Sequence, residues 1–254
     1  MAPLLRLRRC AFAALFCAGA GFLATDAGAL QIALGEQDRS VASEASASTT
    51  VAADSDADSE ATLSPGLASL AADAAASVAP SAASAAASQA GGVATAQLSG
   101  TGAVSSDADA PTVGAFSIAS AEAQLRIVFT ATADSLVRLV GRVDASGSGA
   151  GDASALLELS AVDATLDPLL LLFEVGPGAS LDIDEIAALH AGVAYRLLAL
   201  TRAGSDALNG ETGSSFGASF RFALTEVPEP GTALSLSLAL GLVLLAKCRH
   251  PSPA

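Results

Sequence analysis

Few residues in this chain could carry covalent or metal chemistry, and their spacing narrows the choice quickly. The cysteines are Cys10, Cys17 and Cys248, all inside or beside apolar terminal stretches. The body between them therefore offers no disulfide and no thiol nucleophile. His190 is the one histidine outside the C-terminal tail. A Ser-His-Asp triad would depend on it, but no G-x-S-x-G elbow exists to raise a serine toward it. It reads as a loop histidine ahead of a strand. A zinc site needs three or four thiolate or imidazole ligands, and the body does not supply them. No catalytic residue, metal ligand or cofactor is assigned on these grounds.

Carboxylates are the remaining candidates. Asp54-Ser55-Asp56-Ala57-Asp58-Ser59-Glu60 places acids at positions 1, 3, 5 and 7 of a would-be calcium loop. An EF-hand needs Gly at position 6 and Glu at position 12, where this chain has Ser59 and Pro65. Solvated charge is the default reading, as it is for the smaller group Asp182, Asp184 and Glu185. Spacing alone leaves paired carboxylates for glycoside hydrolysis open. A sugar cleft uses aromatic platforms, however, and the body has Phe116, Phe129, Phe173, Tyr195, Phe216, Phe220 and Phe222. At least four of these sit on the inward phase of strand patterns.

The elements that must position these groups read as β-structure. Leu125, Ile127, Phe129 and Ala131 alternate with Arg126, Val128, Thr130 and Thr132. Val137, Leu139, Gly141 and Val143 repeat the period, as do Ala155, Leu157, Leu159 and Ala161, then Tyr195, Leu197 and Ala199, then Phe220, Phe222 and Leu224. Leu169 to Val175 is a continuous apolar run holding one acid, the pattern of a central strand. Ile183 to Ala191 is read as a single helical turn or a loop. Gly, Asp and Ser clusters separate these runs, which points to a mainly β chain with an antiparallel β-sandwich body.

Residues 40–125 are harder. They contain no Lys or Arg, nine acids and no aromatic before Phe116. One-signed charge and few aromatics favour a flexible, solvated stretch. Ala-Ser alternation also fits strands with a small-residue inner face, and Leu63, Leu67, Leu70, Ala74 and Val78 recur at helical spacing. Strands are expected from about Ser81 onward, with 40–66 loose.

The two ends specify an address. Arg6, Arg8 and Arg9 precede an apolar run from Cys10 to Leu23 and then Ala27-Gly28-Ala29. A charged start, a short apolar stretch and small residues at Ala27 and Ala29 describe a signal peptide cut after Ala29. Gly231 to Ala246 is uncharged and is followed by Lys247, Cys248, Arg249 and His250. As a helix these sixteen residues reach about 24 Å, close to a hydrocarbon core, with Lys247 and Arg249 as a cytoplasmic basic stop. Between body and span stand Val227, Pro228, Glu229 and Pro230. Two prolines lock φ and remove backbone donors, so the segment stays extended and accessible.

The order of Pro228-Glu229-Pro230, apolar helix and basic tail resembles the PEP-CTERM sorting signal. The resemblance covers residues 227–250. It implies a Gram-negative bacterium and recognition by an exosortase, a membrane protease that processes the anchor. The chain then divides into a signal peptide over 1–29 and an Ala/Ser/Asp-rich low-complexity segment over 30–113, partly strands. A β-sandwich domain follows over 114–226, then the sorting signal over 227–250 with a transmembrane helix at 231–246. An N-terminal signal helix and a single C-terminal membrane helix flank the sandwich.

Charge refines the expectation. Between Leu30 and Pro230 there are seven basic residues and 25 acids, a net charge of −18. Such a surface is a poor nucleic-acid partner. It also repels anionic polysaccharide unless divalent cations bridge the two. The reading is a non-enzymatic, exported protein of the cell surface or extracellular matrix, with structural duty. Signal peptidase and exosortase are its processing partners, the inner membrane is a transient one, and polysaccharide is an eventual contact. The alternatives are a carbohydrate-binding or hydrolytic sandwich, which an exposed aromatic strip beside two acids would favour, and an uncleaved single-pass membrane protein.

Overall fold

In the computed structural model the described residues are 32–62, 69–94, 97–162 and 169–227. They carry twelve strands: β1 (Ile32–Ser48), β2 (Ala53–Thr62), β3 (Leu70–Val78), β4 (Ser81–Ala94), β5 (Gln97–Ala110), β6 (Phe116–Ala131), β7 (Ser135–Ser148), β8 (Ala150–Ala161), β9 (Leu169–Val175), β10 (Ala179–Leu189), β11 (Ala194–Leu208) and β12 (Glu211–Glu226). One six-stranded sheet runs β2-β1-β6-β11-β8-β9, the other β10-β7-β12-β5-β4-β3. Every pairing is antiparallel. The chain is thus mainly β, and the two sheets face each other across one hydrophobic core.

The period-two patterns account for which side chains enter that core. Leu125, Ile127 and Phe129 of β6, Leu157 and Leu159 of β8, and Tyr195 and Leu197 of β11 are all buried. From the other sheet Val137, Leu139 and Val143 of β7 meet them, with Phe216, Phe220, Phe222 and Leu224 of β12. Tyr195 lies opposite Phe129 in register, with ring centroids 5.8 Å apart. Removing each such side chain from water contributes roughly 1.5–3 kcal/mol.

The aromatic residues of β12 fit because their neighbours have no side chain. Phe222 lies opposite Gly100, Phe220 opposite Gly102 and Phe216 opposite Gly147. A Cβ at Gly102 would sit 2.3 Å from the Phe220 ring, and one at Gly147 would sit 2.0 Å from Phe216. Each glycine is a notch that a phenyl ring fills from the adjacent strand.

Several expectations are corrected. Residues 40–62 are not loose: β1 pairs with β6 over most of its length and β2 with β1. The stretch 30–113 is not a segment apart from the sandwich, since β1 to β5 supply strands to both sheets. Leu70 to Val78 is a strand, despite its helical spacing. Small side chains explain the difference. Val41, Ala45 and Ala47 of β1, Ala72, Ala74 and Ala76 of β3, and Ala83, Ala85 and Ala87 of β4 are buried, so an Ala/Ser repeat lines the core without any aromatic. Leu169–Val175 is a strand at the edge of its sheet, not its centre, and Leu169 and Leu172 remain nearly half exposed. Ile183–Ala191 is neither a helical turn nor chiefly a loop, because β10 extends to Leu189. Arg39, counted with the surface charges, is only 2% exposed.

Candidate functional site: the acidic rim and the outer faces

The acids Asp54, Asp56, Asp58 and Glu60 lie on β2, an extended strand at the sheet edge. Period two sends all four carboxylates to one side, toward β3 at the edge of the opposite sheet. There each accepts a backbone N–H. Ala71 donates to Glu60 at 3.2 Å, Asp73 to Asp58 at 3.3 Å, Ala75 to Asp56 at 3.1 Å and Ser77 to Asp54 at 2.9 Å. The amides used are those on the side of β3 away from β4. A comb of carboxylates therefore stands where a further strand would otherwise pair, and stitches one sheet to the other along this rim.

The same geometry removes the calcium-loop reading. Alternate residues of a strand are about 7 Å apart, whereas a calcium ion holds its oxygens at 2.3–2.6 Å. Among the described residues no group of three or more His, Cys, Asp or Glu side chains is close enough to share a metal ion. Millimolar calcium should accordingly move the melting temperature by less than about 1 °C. A rise of many degrees in a thermal melt would contradict this assignment.

Two members of the second acidic group, Asp182 and Asp184, are paired with arginines on the outer face of β7 and β10. Arg138 grips Asp184 with two bonds of 2.6 Å. Arg142 bonds Asp144 at 2.5 Å and Asp182 at 3.3 Å. The Arg138 hydrogen bond holds the Asp184 carboxyl below its usual range, and the Asp144 hydrogen bond raises the Arg142 guanidinium. On the other sheet's outer face Arg202 bonds Glu122 at 2.8 Å and Arg196 bonds Glu158 at 2.5 Å. Burial alone would raise the Glu158 carboxyl. Hydrogen bonds, that of Arg196 among them, and the guanidinium charge outweigh it and hold the group low.

His190 follows β10 and is exposed, with Nδ1 3.7 Å from Asp134 Oδ1. Its backbone N–H donates to Tyr195 Oη at 2.8 Å, and Asp134 Oδ1 accepts the Ala191 N–H at 2.8 Å. These bonds pin the turn into β11. That is the work of a structural corner.

No described aromatic ring lies exposed: Phe129, Tyr195, Phe216, Phe220 and Phe222 are buried, and Phe116 and Phe173 are half-buried. One shallow depression spreads over the outer face of β4, β5, β12 and β7 and is lined by small residues such as Ser88, Ala90, Thr101 and Ser219 together with Arg142, Asp144 and Arg221. Arg142 and Arg221 face each other across its register. Sugar stacking has no platform there.

Val227 follows β12 directly and is half-buried. Pro228, Glu229, Pro230, Lys247, Arg249, Ala27 and Ala29 lie outside the described residues, as do the apolar stretch 231–246 and all three cysteines. Among the described residues no helix is long and apolar enough to cross a membrane. Sequence reasoning missed the comb, although its i, i+2 spacing was visible, because acids at that spacing look solvated until an edge strand is placed beside them. No family model and no curated protein matches the chain.

Proposed function

We propose that the sandwich is the exported, non-enzymatic body of a surface or extracellular-matrix protein whose tail is a PEP-CTERM-type sorting signal read by an exosortase. The observation that carries this reading is where the folded unit begins and ends. β1 starts at Ile32, two residues beyond the proposed cleavage after Ala29, and β12 ends at Glu226, immediately before Val227-Pro228-Glu229-Pro230. No residue of either proposed processing signal other than Val227 is among the described residues, and none belongs to a described strand. Removing either signal costs the described strands no residue, which is the arrangement a disposable leader and anchor require.

A structural duty suits the body itself. Its long strands, uniform antiparallel pairing and outer-face arginine–carboxylate pairs favour durability over ligand capture. The carbohydrate-binding or hydrolytic reading wanted an exposed aromatic strip, and among the described residues no aromatic ring lies exposed. An epitope inserted at the Gly176–Gly178 turn, whose glycine at φ +79° tolerates added chain, allows the protein to be followed. Fractionation of cells expressing that full chain should place the epitope outside the inner membrane. Recovery in the cytoplasm would overturn the proposal.

A further inference from the structure

The sandwich's rim strands are protected unequally. β10 carries Asp182, Asp184 and Glu185, and β9 is short with a register shift against β8. Charges and bulges of this kind keep sheet edges from pairing with other chains. β3 has neither. Its nine residues, Leu-Ala-Ala-Asp-Ala-Ala-Ala-Ser-Val, include one charge and no Lys or Pro. Its register with β4 is unbroken from Leu70 opposite Gln89 to Val78 opposite Ser81. A regular, small-residue edge of this length is a template for another strand.

We propose that the edge of β3 is a masked self-association surface, and that the carboxylate comb of β2 is what masks it. The four edge amides, those of Ala71, Asp73, Ala75 and Ser77, are taken one by one by Glu60, Asp58, Asp56 and Asp54. With the comb's bonds broken and β2 drawn back from the rim, the partner that fits is β3 of a second copy, paired antiparallel about Ala74. In that register Asp73 faces Ala75 of the other copy and no like charges oppose each other, while every remaining pair is small or apolar. The bodies themselves repel, at −18 each, and to that charge β3 itself contributes only Asp73. The comb adds both occupancy and negative charge where that contact would form. The acid run is therefore a guard, and this holds whether or not the tail is an exosortase signal.

The test is amide exchange and mass on the full chain. In the parent protein the Asp73 and Ala75 amides should exchange as slowly as those of Ala72 and Ala74, which face β4. In Asp56→Ala/Asp58→Ala they should exchange at least tenfold faster, with the β6 and β12 amides unchanged. The variant should also gain a concentration-dependent dimer by light scattering. Adding Ala75→Lys, a charge on the bared edge, should return it to monomer. Should the double variant fail to fold, Asp58→Ala alone, which bares the Asp73 amide, carries the same two readouts. Unchanged exchange at Asp73 and Ala75 would overturn the proposal. So would bared amides in a protein that stays monomeric at every concentration, or a dimer that Ala75→Lys leaves intact.

Discussion

Replacing Pro228, Glu229 and Pro230 together by alanine should leave nearly all of the protein held at the inner membrane. The effect is expected to be close to all-or-none, because the substitution does two things at once. It removes the side chains an exosortase would recognise, and it converts an obligately extended stretch into one that helix can enter. Two prolines keep φ near −65° and withhold two backbone donors, and Val227 and Glu229, each ahead of a proline, are biased away from helix. Three alanines lift both restrictions, so that a helix formed by the proposed span could extend through them. Membrane fractionation with detection of the uncut chain checks this. Normal release of the alanine variant would count against recognition at that tripeptide, and with it the sorting proposal.

The second large effect lies in the core. Phe220→Ala should destabilise the body by about 3–5 kcal/mol, a large share of the roughly 5–15 kcal/mol that holds such a domain folded. Phe220 is 2% exposed, stacks on Phe222 at a centroid distance of 6.3 Å and fills the notch over Gly102. Gly102→Ala should itself cost about 1–3 kcal/mol, since its Cβ would drive into the ring from 2.3 Å. In the Phe220→Ala background the ring is gone, and the same alanine should cost little or even recover some packing. The double variant is therefore expected to fall clearly short of the summed losses when measured by urea denaturation. Strict additivity would show that ring and notch are not coupled.

How far the fold was readable from sequence depended on side-chain size. Where large apolar residues alternate, as in Leu125-Ile127-Phe129 or Phe220-Phe222-Leu224, period two is loud and each inward residue proved buried. Where the inward residue is mostly Ala and the outward one Ala, Ser or an acid, as in β1, β3 and β4, alternation carries little hydrophobic contrast. Composition then outweighs pattern, and the stretch is mistaken for solvated chain. Edge and centre are harder still. Leu169 to Val175 reads as a central strand because it is continuously apolar, but a run of leucines does not reveal whether a neighbour lies on its far side.

The candidate site was legible to the same uneven degree. The spacing Asp54, Asp56, Asp58, Glu60 was plain. Its meaning needed β3 of the other sheet, which connectivity alone does not place beside β2. The glycine notches under β12 were invisible for a similar reason, since Gly102 meets Phe220 across more than a hundred residues of chain. Local chemistry was readable, and its partners were not.

Removal of the two terminal segments from an intact sandwich is tested most directly by the intact mass of the surface-located form. A polypeptide beginning at Leu30 and lacking the apolar stretch 231–246 is the expected result. A mass that retains Met1 and runs through Ala254 would contradict it.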